Sequence, residues 1–178
     1  MKKSLLLLLT CAVFFACNSD TKQDDAKSDS GAKKDSLVYP FTAKYSLNWQ
    51  PGDEKLAVFA LNSLKKYVDG DVKGSFEAFA DSIEFFGDKF HFVGKKDSLL
   101  AIMVKMRSGY SSMSVHPDTW MTVYYPDKKD TWVTLWSTNI STDLKGVTDS
   151  VYLVDDVLIK NNKIVEIDEK NRRFPDKK

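Results

Sequence analysis

The sequence is poor in cysteine, histidine, glycine and proline, and its charges nearly cancel. Its 178 residues include 2 Cys, 2 His, 8 Gly and 5 Pro. Two cysteines are too few for a disulfide-dense scaffold or a cysteine-rich zinc site. The 26 Lys and Arg residues are balanced by 25 Asp and Glu residues, so the chain lacks the strongly basic composition typical of nucleic-acid-binding proteins. The composition therefore argues against all three classes, and we predict no nucleic-acid partner.

The chain also lacks the short motifs that hold common cofactors. It has no Gly-x-Ser-x-Gly elbow, no complete phosphate-binding P-loop and no dinucleotide-binding glycine fingerprint. Its two histidines, His91 and His116, lie too far apart for the short spacing of a helical zinc pair. We therefore predict neither a metal site nor a cofactor.

An apolar run stands at the start of the chain. Lys2 and Lys3 precede the mostly apolar residues 5–16, a run of signal-peptide length, whereas a membrane-spanning helix needs about 20 residues. The small Ala16 directly precedes Cys17, which resembles the lipobox of bacterial lipoproteins. We predict that residues 1–16 are a lipoprotein signal peptide and that lipid on Cys17 anchors the protein to the outer membrane of the cell envelope, facing the periplasm or the exterior. The alternative is an ordinary cleaved signal in which Cys17 has no role.

The next segment is polar. Residues 18–36 contain five Asp, four Lys and only two apolar residues, too few to offset the entropy of ordering. We predict that residues 17–36 are the lipidated cysteine and a disordered tether. The acidic residues soon after Cys17 resemble those of Bacteroidetes-type lipoproteins. The remaining residues 37–178 have the length of one folded domain.

Hydrophobic periodicity changes partway along residues 37–178. Early apolar residues follow helical spacing, as in Ala57, Ala60, Leu61, Leu64 and Val68. After Tyr110 the spacing shortens to the alternation of β-strands. We predict helices over 53–70, 71–80 and 97–108, and strands over 82–86, 90–93, 120–125, 132–139, 150–160 and 163–169. Helices followed by an antiparallel meander favour an α+β fold over a parallel nucleotide-binding sheet.

Three passages carry a family resemblance. Residues 68–71 (VDGD) and 75–85 (SFEAFADSIEF) resemble the helix, Gly-Asp, helix and strand passage of nuclear transport factor 2-like (SnoaL-like) domains, and residues 156–167 resemble their last hairpin. The resemblance covers nearly all of residues 53–174. It implies a cystatin-like, cone-shaped roll, in which a strongly bent antiparallel sheet wraps three N-terminal helices and leaves a cavity at the wide end.

The same resemblance implies chemistry in that cavity. Some members are isomerases, dehydratases or epoxide hydrolases that set Asp, His or Tyr against an apolar wall, where burial raises the pKa of a carboxyl group. Asp155 and Asp156 interrupt an apolar strand, so alternation sends one of them to each face. The inward one, with the hydroxyl of Tyr67, is our candidate for catalysis. A bulge or a solvated strand end is the other interpretation of the two aspartates.

Four aromatic residues recur on two neighbouring predicted strands: Trp120, Tyr124, Trp132 and Trp136. One interpretation is that they line a pocket and stack on a hydrophobic or planar ligand. The other is that they fill the space between the sheet and the helices.

The sequence thus favours a membrane-anchored lipoprotein whose single domain binds a small apolar ligand or a partner without catalysis. The alternative is a cofactor-independent isomerase, dehydratase or hydrolase that uses an Asp–Tyr pair in the cavity. A third hypothesis, also implied by the resemblance, is a homodimer that pairs through the open face of the sheet.

Overall fold

The computed structural model describes residues 38–174. The signal peptide predicted for residues 1–16, the lipidated Cys17 and the tether over 17–36 lie outside the described residues. So do residue 37 and residues 175–178 of the predicted domain.

The described chain alternates between helices and strands in an α+β arrangement. The helices are α1 (Glu54–Val68), α2 (Val72–Ser75) and α3 (Lys96–Arg107). The strands are β1 (Gln50–Pro51), β2 (Phe79–Gly87), β3 (Phe90–Lys95), β4 (Tyr110–Tyr125), β5 (Asp130–Asp143), β6 (Thr148–Lys160) and β7 (Lys163–Arg173).

Helix α1 begins and ends at the residues that its sequence indicates. The carboxylate of Asp53 accepts a hydrogen bond from the backbone amide of Lys55 at 2.9 Å, which caps the first turn. At the other end Gly70 adopts a φ of 94°, a left-handed conformation that glycine reaches without strain. Of the apolar stripe of α1, Ala57, Ala60 and Val68 are buried.

The second predicted helix is too long. A helix was expected over 71–80, but α2 ends at Ser75, a 3-10 turn occupies Phe76–Ala78, and β2 begins at Phe79. Phe79 lies opposite Ile164 of β7 in the sheet, and its ring stacks on that of Phe76 at a centroid distance of 4.3 Å. Pairing with β7 and burial of both rings therefore override the local helical spacing.

The strands form one seven-stranded sheet in the order β1-β4-β5-β6-β7-β2-β3. Pairs among the described strands are antiparallel apart from β2 and β7, which run parallel and so correct the expectation of a wholly antiparallel sheet. Register shifts interrupt the pairing of β4 with β5 between Pro117 and Thr119, and the pairing of β6 with β7 between Leu158 and Ile159, where Val165 is the extra residue. Such bulges bend and twist strands, and the sheet curls around the helices as the predicted roll requires.

The helices and the inner face of the sheet share one apolar core. Leu99 of α3, Val133 of β5 and Ile164 of β7 are almost fully buried within it. Among residues 38–174, none of the helices has both the length and the apolar character needed to cross a membrane.

Candidate functional site

A cavity of about 430 Å³ lies between α1, α3 and the inner face of the sheet. Its wall is mainly apolar and includes Leu64, Phe76, Leu135, Val157 and Ile167. This volume is within the range of small-molecule sites, which is about 300–1,000 Å³. The cavity is therefore large enough for a small-molecule ligand beneath the curled sheet.

Two carboxyl groups face each other at the cavity wall. Asp155 of β6 and Glu169 of β7 are directly opposite in the antiparallel register, and both line the cavity. Side chains at such positions have Cβ atoms about 4.5–5.5 Å apart, and like charges there repel. Each side chain is partly buried, so water screens their repulsion only in part.

The environment favours the neutral forms of both acids. Burial, the largest cause, together with the negative charges of Glu169 and Asp156, raises the pKa of Asp155 from 3.8 to about 8, while Lys170 opposes the shift. Burial also raises the pKa of Glu169. The pair therefore holds a proton near neutral pH, and Asp155 is able to donate or accept one.

Tyr67 reaches the same cavity from the last turn of α1. Burial raises the pKa of its phenol, the charge of Glu169 adds to the rise, and the Arg107 guanidinium opposes it. Arg107 itself donates to the backbone carbonyls of Tyr67 at 3.3 Å, Val68 at 3.1 Å and Tyr110 at 2.9 Å. These bonds fix the end of α1 and so position the Tyr67 ring.

Asp156 lies on the other face of the sheet. It accepts a hydrogen bond from the hydroxyl of Thr134 and an ion-pairing hydrogen bond from Lys170 Nζ at 2.8 Å. No bulge falls between the two aspartates, so alternation along β6 separates them as the sequence predicts. Of the two, Asp155 alone lines the cavity.

The four aromatic residues do not form one pocket. Trp120 and Tyr124 pair with Leu135 and Thr131, which places them on the inner face, whereas Trp132 and Trp136 lie on the other. None of the four lines the cavity, and Trp132 meets Tyr45 edge-on at 6.2 Å instead. The four residues therefore do not form a shared wall of this cavity, because the strand register offsets the two aromatic sets by one residue, and their part in ligand binding stays a prediction.

Glu169 is a cavity residue that sequence reasoning missed. It sits in the polar end of β7, which looks like a solvated strand end. The turn at Asn161 and Asn162 indicates a hairpin, but the register shift between Leu158 and Ile159 decides which β7 residue opposes Asp155. A pattern of residue types does not reveal that shift.

Further polar groups line the cavity beside the carboxyl pair. They are Asn139 and Ser141 of β5, Asn171 of β7, and the ion pair between Arg173 Nη1 and Asp149 Oδ2 at 3.1 Å. Within residues 38–174, no three His, Cys, Asp or Glu side chains are grouped so as to hold a metal ion.

The described structure is similar to several solved structures. An NTF2-like protein from Anabaena variabilis superimposes with a TM-score of 0.55, 12% identity, and coverage of 67% of this chain and 89% of its own. AclR, a putative hydroxylase from Streptomyces galilaeus, gives a TM-score of 0.56, 14% identity, and coverage of 70% and 83%. An LEH-like epoxide hydrolase from M. tuberculosis gives a TM-score of 0.55, 12% identity, and coverage of 66% and 84%.

By sequence, no protein-family model and no curated protein matches the chain. At these identities the structural likeness establishes the fold and not the chemistry. The curled sheet, the helices at its inner face and these likenesses agree: the chain contains a domain with the nuclear transport factor 2-like (SnoaL-like) fold.

Proposed function

We propose that the domain binds a small, largely apolar molecule in the cavity and holds one polar group of that molecule against Asp155 and Glu169. The observation that supports this proposal is the cavity itself, an apolar space of about 430 Å³ with two facing carboxyl groups at its wall. An apolar wall favours binding of apolar surface, and a few convergent polar groups orient the ligand.

The test is whether purified full-length protein retains a small molecule and whether filling the cavity removes it. Leu64 lines the cavity, so Leu64→Trp places an indole in the ligand's space. Val104 lies on α3 and is 41% exposed, so Val104→Trp is the matched control. Mass spectrometry of extracted small molecules should show a bound compound with wild type and Val104→Trp and a loss of at least about tenfold with Leu64→Trp. Equal retention by all three proteins would contradict cavity binding.

A second candidate function is acid–base catalysis without a cofactor. The observation that favours it is the convergence of Asp155 and Tyr67 on one cavity, with the pKa of Asp155 raised to about 8. A group with a pKa near the working pH transfers protons effectively, and such transfer contributes about 100- to 10,000-fold to a rate. In this proposal Asp155 moves the proton, and Tyr67 donates a hydrogen bond to the developing charge.

Proton exchange tests this second function without knowledge of the substrate. We propose 2-decalone, an apolar ketone, in deuterated buffer, with NMR to follow loss of the protons next to its carbonyl group. Exchange should be faster with wild type and with Asp156→Asn than with Asp155→Asn by at least about 100-fold. If wild type exchanges these protons no faster than buffer alone, the result contradicts the catalytic function and favours binding.

The envelope location is proposed on the sequence alone. The lipobox-like residues ending at Cys17 and the polar tether would hold the domain at the outer-membrane surface through lipid, since each buried methylene of an acyl chain contributes about 0.8 kcal/mol. Pairing of two copies through the sheet face stays a prediction, and sedimentation equilibrium of the purified protein measures it.

A further inference from the structure

Acidic side chains outnumber basic side chains around the cavity. The acids that line it are Asp88, Asp149, Asp155 and Glu169, and the sole base among the described lining residues is Arg173. Arg173 is already paired with Asp149 at 3.1 Å. Three of the lining acids, the exposed Asp88 and the pair Asp155 and Glu169, therefore have no basic lining side chain to balance them.

The nearby cations are engaged elsewhere. Lys170 follows Glu169 in β7 but lies on the opposite face, where its ammonium group is 2.8 Å from both Asp156 and Asp168. Arg107 donates to two backbone carbonyls at the end of α1 and to that of Tyr110 at the start of β4. Neither side chain lines the cavity.

The carboxyl pair itself lacks donors. Within residues 38–174, no side chain donates a hydrogen bond to the carboxyl group of Asp155 or Glu169 or forms an ion pair with it. Across the sheet Asp155 also has Leu135 as its β5 neighbour, which offers no side-chain donor. A partly buried acceptor that has no protein donor is incompletely satisfied, so a ligand that supplies donors at this point gains more than one that does not.

We infer that the ligand of this cavity is an apolar molecule that carries a protonated amine, with the ammonium group set between Asp155 and Glu169. The inference rests on the proposed binding function and narrows it to a chemical class. An ammonium group offers three donors and a positive charge, and charge-assisted hydrogen bonds are roughly twice as strong as neutral ones. Carboxylates, phosphates and other anions are repelled by the same groups when these are ionised.

Titration of the two acids gives the expected pH dependence. Tyr67 of α1 lies at the same cavity, and the charges of Asp156 and Lys170 act on Asp155 from the far face of β6 and β7. Protonation of the two acids removes the negative charge that attracts a cation. Affinity for an amine should therefore rise from pH 6 to pH 8, across the range in which Asp155 ionises, and affinity for a carboxylate should fall.

The experiment uses three probes of one shape and different charge: 1-adamantylamine, 1-adamantanol and 1-adamantanecarboxylate. Isothermal titration on the full-length protein at pH 7.5 should rank the amine first by about tenfold or more, with the carboxylate weakest. Asp155→Asn should weaken amine binding by about tenfold while alcohol binding stays within about twofold. The matched control Asp156→Asn, one residue away on the other face, should leave the ranking unchanged.

The outcomes separate this inference from the function on which it rests. Binding of the alcohol as tightly as the amine, or no loss of amine affinity in Asp155→Asn, overturns the inference and leaves the apolar site standing. Binding of none of the probes to a protein that circular dichroism shows to be folded counts against the proposed function and the inference together. An amine affinity that falls between pH 6 and pH 8 also overturns the inference.

Discussion

Asp155 and Glu169 oppose each other across β6 and β7 with their carboxyl groups at the wall of the same cavity. Such a pair is unfavourable for folding, because both acids lose hydration and repel each other when ionised. Structures retain unfavourable groups of this kind most often where they bind or react. The pair is therefore the best marker of function in the described chain.

The first prediction concerns stability against pH. The pKa of Asp155 is about 8 in the folded protein against a usual 3.8, so the folded state binds more protons between these values. Its contribution to stability is full below pH 3.8 and is lost as pH rises toward 8, at up to about 1.4 kcal/mol per pH unit. Asp155→Asn should make this decline shallower in urea unfolding between pH 5 and 8. Asp156→Asn should keep most of the slope, and equal slopes for wild type and Asp155→Asn would contradict the assignment.

The second prediction concerns the coupling of the two acids. The charge of Glu169 contributes to the raised pKa of Asp155, so Glu169→Gln should lower that pKa. Carboxyl carbon chemical shifts followed through a pH titration by NMR measure the change. Asp168→Asn, whose side chain lies on the opposite face beside Lys170, is the control and should produce a smaller shift. A pKa of Asp155 that stays the same in Glu169→Gln would show that the two groups do not interact.

The third prediction concerns the residue that positions Tyr67. Arg107→Ala removes three hydrogen bonds to backbone carbonyls, and we expect it to lower the free energy of unfolding by about 2 kcal/mol. It should also raise the pKa of Tyr67 further, because Arg107 lowers it now. Denaturant unfolding and ultraviolet titration of the phenol measure the two effects. Arg107→Lys keeps the charge without the planar fork, so it should preserve the pKa better than the stability.

The fourth prediction concerns the anchor. Cys17→Ala removes the proposed site of lipid attachment and should move the protein from the membrane fraction to the soluble fraction. Cys11 lies within the apolar run, so Cys11→Ala is the matched control and should leave the distribution unchanged. Immunoblots of fractionated cells expressing each variant provide the measurement. Membrane association of Cys17→Ala equal to that of wild type would remove the lipoprotein hypothesis.

Local sequence signals specified much of the fold. The cap at Asp53, the glycine after α1 and the apolar stripe between them define that helix, and all act within a few residues. The switch to alternation after Tyr110 likewise predicts long strands, since the side-chain period of a strand is two. The inward direction of one member of the pair Asp155 and Asp156 follows from the same alternation.

The set of side chains that meet at the candidate site could not be predicted from these local signals. A hairpin continued without interruption from the pairing of Lys160 with Lys163 would set Asp155 opposite Asp168, whereas the shift after Leu158 sets it opposite Glu169. A slip of one residue exchanges the two faces of a strand. The pairing of β4 with β5, which runs without a shift from Thr119 to Tyr125, likewise divides the four predicted aromatic residues between two faces.

The sequence by itself therefore determined most of the elements, their order and the class of fold, because caps, turns and periodicity act between near neighbours in the chain. Tertiary structure alone decided which side chains meet in the cavity and which lie outside it. That choice depends on bulges and on pairing between strands far apart in sequence, where the packing of the whole core, and not any local preference, selects the register.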